Sequence, residues 1–140
     1  MSRGLMVKEV EGALLGLVER LREEGLIAAV VREVTLPIYP RAFVLLREVR
    51  LERTTVGGSG IGADQEYEVV VESSRPDAVL QASEAVSAAV RFAELVLSEG
   101  PREVGGRPLE LFPYELRVLD VLESGRKSTV VSVRVRARVG

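Results

Sequence analysis

Residues 128–139 alternate without a break. Val131, Val133, Val135 and Val139 fall on one side, and Arg134, Arg136 and Arg138 fall on the other. A strict period of two marks a half-buried strand, with one row of side chains on a core and the other facing away from it. Any fold this chain adopts must therefore lay a second layer over the valines. It must also give the arginines either water or a carboxylate partner.

A matching partner lies upstream. In residues 65–73, Glu66, Glu68 and Glu72 point one way, while Tyr67, Val69 and Val71 point the other. The acidic face matches the basic ladder in spacing, so the two strands are expected to pair by charge. Whether that pairing is internal or joins two copies is left open by the sequence, and both ladders are candidate subunit-interface residues. The alternative use of three arginines is contact with nucleic-acid phosphates. Single strands would also need stacking aromatics, and duplex would need an inserted helix. The chain has three Phe and three Tyr, none in this strand, and its net charge is −2. No specific nucleic-acid recognition is expected. Charge is also segregated: residues 57–123 are acidic, and residues 124–140 carry five basic groups and no acidic one. That division favours pairing within the chain or between copies.

The rest of the chain supplies the second layer. Met6, Val10, Leu14, Leu17, Val18 and Leu21 recur at three- and four-residue spacing, which predicts an amphipathic helix over about residues 4–24 with Gly25 as its C-cap. Gly12 and Gly16 in that helix either admit a close neighbour or are surface glycines. Residues 27–36 read as a first strand, 37–40 as a loop and 42–55 as a second strand. The helix start at Ser74, Pro76 and Asp77 opens a second helix to about residue 98, with Val79, Val86, Val90, Ala93 and Leu97 as its stripe and Ala82, Ala85, Ala88 and Ala89 broadening it. Residues 101–108 read as a loop. Residues 109–123 read as a strand, possible bend at Pro113, with Phe112, Tyr114, Leu116, Val118 and Leu122 on the core face. The expected fold is α+β: one domain over residues 1–140, a two-layer sandwich of an antiparallel or mixed four- to five-stranded sheet with two helices on one face, in the order α-β-β-β-α-β-β.

Between the second and third strands lies a glycine-rich stretch, Gly57, Gly58, Ser59, Gly60, Ile61, Gly62, Ala63 and Asp64. A phosphate loop would end in Gly-Lys-Ser/Thr before a helix, and a dinucleotide fingerprint would sit between a strand and a helix. Neither context is present. The stretch is expected to be a flexible hairpin loop over 57–64 and a candidate partner-docking segment.

The chain has no Cys and no His. Disulfides, thiolate nucleophiles, histidine bases and His- or Cys-ligated metals are thereby excluded. Asp64, Asp77 and Asp120 are the only aspartates, and the carboxylates form no compact cluster in sequence. No catalytic residue, cofactor or metal is expected, and the chain is expected not to be an enzyme. No apolar run is long enough to span a membrane, and residues 1–6 hold no secretory core. Missing Asn and Cys with abundant Glu and Arg suit a thermophilic source, although 17 Arg against two Lys also fits GC-rich coding.

In the order and texture of its elements the whole chain resembles the tail-terminator and minor tail proteins of long-tailed bacteriophages. The resemblance rests on the N-terminal amphipathic helix and the extended segment at 36–43, Leu-Pro-Ile-Tyr-Pro-Arg-Ala-Phe. A long variable loop follows, then the strand Tyr-Glu-Val-Val-Val-Glu at 67–72, an Ala-rich helix over 78–97, and the closing strand Val-Arg-Val-Arg-Ala-Arg-Val at 133–139. It implies a virion protein, assembled in the host cytoplasm, that forms a homo-oligomeric ring, a hexamer by family resemblance. The ring would cap the tail tube and help join tail to head, with the tube protein and head–neck proteins as partners and no membrane. The charged strands would seal neighbouring subunits, and the 57–64 loop would order on docking. The competing expectations are a neck or head-completion protein, a nucleic-acid-binding module, and a non-viral oligomer binding a ligand in a dry pocket lined by Phe43, Phe92 and Phe112.

Overall fold

The alternating strand lies at the centre of the sheet. The computed structural model describes residues 6–31, 38–53, 61–73, 78–123 and 126–140. Its elements are α1 (Val7–Glu23), β1 (Ala29–Val30), β2 (Arg41–Arg53), β3 (Ile61–Ser73), α2 (Ala78–Glu99), β4 (Glu103–Val104), β5 (Arg107–Glu123) and β6 (Arg126–Val139). The sheet order is β1-β2-β3-β6-β5-β4. β1 runs parallel to β2 and every other pairing is antiparallel, so the fold is α+β with one mixed sheet.

Six strands stand where four or five were expected. The added one is β4, inside the region read as a loop over 101–108. Gly105 and Gly106 both take positive φ, at 56° and 77°, and join Val104 to Arg107 in a two-residue hairpin turn. At this length the mirror-image turn types match the twist of the flanking strands, and a Gly-Gly pair supplies the form with two positive φ values without strain. The first strand is also shorter than expected, since β1 is Ala29–Val30 and residues 32–37 lie outside the described residues. Residues 74–77, where the second helix was expected to start, lie outside them too.

The valine face of β6 meets both helices. Val131, Val133, Val135, Ala137 and Val139 are buried with Tyr67, Val69 and Val71 of β3 in one cluster. Val10, Leu14, Leu17, Val18 and Leu21 bring the stripe of α1 onto it, and Ala85, Ala88, Ala89, Phe92, Leu95 and Val96 bring α2. Each fully buried large apolar side chain stabilises the fold by about 1.5–3 kcal/mol relative to exposure. Of the expected stripe of α2, the broadening Ala85, Ala88 and Ala89 are buried, whereas Val90 and Leu97 are exposed. Small alanines let α2 sit close over the sheet, so the alanine row faces inward and the larger aliphatics at 90 and 97 do not.

Helix α1 ends as expected. Leu26 N–H donates to the Leu21 carbonyl and Gly25 N–H to the Arg22 carbonyl, with Gly25 at φ 77°, which is the paired-bond C-terminal motif that glycine favours. Gly12 and Gly16 have open space where a Cβ would stand, so they are surface glycines. Arg20 pairs with Glu99 at 2.7 Å and Arg91 with Glu24 at 2.8 Å, tying the end of α1 to α2.

β5 departs most from expectation. Its pairing with β6 shifts between Pro113 and Glu115, making Tyr114 an inserted residue. A one-residue insertion moves every later side chain to the opposite face. Before it, Leu109 and Leu111 share register with Val139 and Ala137 on the helix side. After it, Leu116 and Val118 take that side, opposite Val133 and Val131. Phe112 lies opposite Arg136, on the far side from the core, so the expected core face Phe112, Tyr114, Leu116, Val118 is split between two faces.

Candidate functional site: the charged sheet face and its edges

The expected ladders face each other within one chain. Glu66 lies opposite Arg136, Glu68 opposite Arg134, and Asp64 opposite Arg138. Glu72 is the exception: it lies opposite Val130, and Arg41 of β2 binds it at 3.1 Å with the Arg41 side chain largely covered. The acidic strand is therefore held from both sides. Arg47 of β2 reaches Glu68 at 2.9 Å, while Arg134 faces the same carboxylate from β6.

The pattern extends across four strands. One row reads Arg50 of β2, Asp64 of β3, Arg138 of β6 and Glu110 of β5. Two rows along, Arg47 joins Glu68, Arg134 and Glu115. In both rows β2 is basic, β3 acidic, β6 basic and β5 acidic. The middle row differs: Glu48 and Glu66 are like charges, Arg136 follows, and Phe112 ends the row. Arg50 relieves this row by binding Glu48 at 2.9 Å, and Glu48 in turn raises the Arg50 guanidinium above its ordinary value.

Tyr114 closes the middle row. Displaced by the β5 bulge, it reaches past β6 and donates its hydroxyl to the Glu66 carboxylate. The Arg136 guanidinium lies 5.9 Å from its ring centroid. Burial first, and then the Glu66 carboxylate, raises the Tyr114 hydroxyl above the ordinary tyrosine value. Sequence reasoning placed Tyr114 in the core, and no local signal beyond Pro113 marked the bulge that re-aims it.

The candidate docking stretch is not one segment. Gly57, Gly58, Ser59 and Gly60 lie outside the described residues. Ile61, Gly62, Ala63 and Asp64 are not loop: they are the start of β3, paired with Arg53, Glu52, Leu51 and Arg50 of β2. Period-two alternation is weak in Ile-Gly-Ala, so the sequence carries little strand signal there.

Among the described residues, no three carboxylates converge where they could hold a metal ion. The pocket expected between Phe43, Phe92 and Phe112 does not form. Phe92 is fully buried under α2, whereas Phe43 and Phe112 share register with Val70 and Arg136 on the opposite side of the sheet. No described helix is long and apolar enough to cross a membrane.

The remaining notable surface is the rim of the sheet. Among the described residues, β1 covers β2 at Arg41 and Ala42, and β4 with the preceding Arg102 covers β5 from Arg107 to Leu109, whose N–H donates to the Arg102 carbonyl at 2.8 Å. Beyond those points no described strand pairs with the outer backbone of β2 or β5. Phe112, Tyr114, Leu116, Val118 and Leu119 are exposed along β5, Val118 and Leu119 by about half. Leu46 and Leu51 are exposed along β2. Neither a known protein-family model nor a curated protein sequence matches the chain.

Proposed function

We propose that this chain is a structural, non-catalytic protein that assembles with copies of itself into a closed ring. We further propose that the ring is a tail terminator. It caps the tail tube of a long-tailed bacteriophage, stops its growth and offers a surface to the head–neck proteins, with the virion as its destination and the host cytoplasm as its place of assembly.

The observation that carries the ring is the pair of long strands, β2 and β5, at opposite rims of one sheet. Among the described residues, β2 is covered at Arg41 and Ala42 and β5 from Arg107 to Leu109. A long apolar strand edge is an aggregation hazard that natural proteins cover, charge or twist away. Rims at opposite ends of a sheet are suited to head-to-tail contacts, which close into a ring when the rotation per copy allows. The assignment to the tail end of a virion rests on the resemblance in element order. The surface described offers shape and charge rather than a reacting group, which fits a docking role.

Native mass spectrometry across salt concentration, followed by addition of tail tubes purified from the phage or prophage that encodes the chain, tests the reading. A discrete ring that loosens with salt and stays on tube ends is expected. A strict monomer that ignores tube ends overturns it.

A further inference from the structure

We infer that the ring interface is a strand-to-strand contact in which the rim of β5, uncovered among the described residues beyond Leu109, pairs antiparallel with the rim of β2, uncovered among them beyond Ala42, of a second copy. This continues the sheet from one subunit into the next. The inference rests on the ring reading and names the surface that makes the ring.

Three observations select this partner and this register. The first is direction. β2, β3, β6 and β5 alternate in polarity, so a second copy's β2 set beside β5 continues the antiparallel order.

The second is phase. Each rim strand carries one inserted residue, Arg47 in β2 and Tyr114 in β5. An insertion flips which residues face the helices. In β2 the helix side holds Ala42 and Val44 before the insertion and Val49 and Leu51 after it. In β5 it holds Leu109 and Leu111 before, and Leu116 and Val118 after. Set antiparallel with Arg50 facing Glu110, just beyond the Leu109 N–H that Arg102 already holds, the two flips occur at the same level and cancel. Val44 then faces Leu116 and Val49 faces Leu111 on the helix side. Leu45 faces Glu115, Glu48 faces Phe112 and Arg50 faces Glu110 on the charged side. On the helix side apolar residues meet apolar residues, and the exposed Leu116 of β5 becomes covered.

The third is charge. In this register Glu110 meets Arg50 of the second copy, and Glu115 lies beside its Arg47. In the two rows that carry it, the basic-acidic-basic-acidic order of one subunit thus continues into the next. A two-residue slip in one direction brings Glu110 opposite Glu48, and in the other direction Glu115 opposite Glu48. Like charges directly opposite are unfavourable, so one register is favoured over its neighbours. Self-pairing of β5 would leave the β2 rim bare, whereas β5-to-β2 pairing covers both rims over residues 110–116 and 44–50.

The chain has no cysteine, so introduced thiols report this contact alone. The variant carrying both Glu48→Cys and Phe112→Cys should form, under mild oxidation, a ladder of disulfide-linked multimers that ends at the ring size. Each single-cysteine variant should form none. As a second arm, Arg50→Glu and Glu110→Arg should each weaken association about tenfold, and an equimolar mixture of the two should recover it as an alternating ring. Circular dichroism of each variant confirms that it is folded. Assembly by native mass spectrometry without cross-linking overturns the rim contact while leaving the ring reading standing. Equal cross-linking by the Phe112→Cys single variant shows β5 self-pairing and also overturns it. Absence of both assembly and cross-linking at high protein concentration overturns the contact and the ring together.

Discussion

Glu68 of β3 stands opposite Arg134 of β6 and takes Arg47 of β2 on its other flank at 2.9 Å. One carboxylate thereby joins three strands, and the Asp64 row repeats the order with Arg50 and Arg138 on its two sides. The charged face is a lattice that fixes strand register from inside the subunit.

Replacing both Arg134 and Arg136 with Glu sets like charges opposite Glu68 and Glu66. Cross-strand like pairs are unfavourable where opposite pairs gain roughly 0.2–1 kcal/mol each, so the double variant should lose about 1–2 kcal/mol of stability. The loss should shrink at high salt, because these side chains are partly exposed. Adding Glu66→Arg and Glu68→Arg should return part of it. Thermal melts at low and high salt check this, and a salt-independent loss would show that the arginines act through packing.

Phe92 and Leu97 lie on one helix in opposite environments. Phe92 is fully buried beneath α2, and Leu97 is 66% exposed. Phe92→Ala should cost about 3–5 kcal/mol through lost transfer energy and the cavity left behind. Leu97→Ala should stay within about 0.5 kcal/mol in the monomer. Denaturant unfolding of both variants distinguishes this orientation of α2 from one with Leu97 inward.

Much of this surface can be read in the sequence, and its failures have physical causes. The ladders at Glu66, Glu68, Arg134 and Arg136 are legible because a strict period of two survives wherever a strand is regular. β5 is misread because counting by twos across Pro113 and Tyr114 ignores an insertion that only the partner strand reveals. Val90 and Leu97 are misread because helical spacing fixes a stripe's pitch without choosing which stripe faces inward. Alanine, small enough for close approach to a sheet, outcompetes larger residues there. Residues 61–64 are misread because glycine and alanine carry little strand preference, although pairing with residues 50–53 holds them in the sheet. The rims are invisible to the sequence, since an edge is a property of strand order.

Glu24 at the end of α1 illustrates pH dependence at the surface. A hydrogen bond from Arg91, with its charge and that of Arg20 in addition, holds the Glu24 carboxyl below the ordinary glutamate value. A carboxyl depressed in the folded state adds stability above its unfolded value, and this is lost as pH falls through the folded one. Carbon-detected NMR titration should find Glu24 titrating below the chain's unpaired glutamates. Arg91→Ala should return it towards the ordinary range, and an unchanged titration would show that the contact is not populated in solution.

Tyr67 gives the opposite sign at the other end of the pH scale. Its hydroxyl is buried, donates to Gln65 Oε1 at 2.7 Å and lies 3.2 Å from the Val7 carbonyl. Burial first, and the Glu11 charge second, push its ionisation well above the ordinary tyrosine value. Tyrosine ionises near pH 10 in an unfolded chain. Below that pH both states hold the proton and the term is constant. Above it the unfolded chain releases the proton while the folded one keeps it, so stability falls with rising pH until the folded value is reached. The wild-type chain should therefore lose stability progressively above about pH 10. Tyr67→Phe should be less stable at neutral pH, because Gln65 Oε1 and the Val7 carbonyl lose a donor, at about 1–3 kcal/mol for buried groups left unsatisfied. Its alkaline decline should be shallower than the wild type's. Urea unfolding at pH 7, 9.5 and 11 reads both effects, and parallel decline in the two proteins would show that another group governs alkaline unfolding.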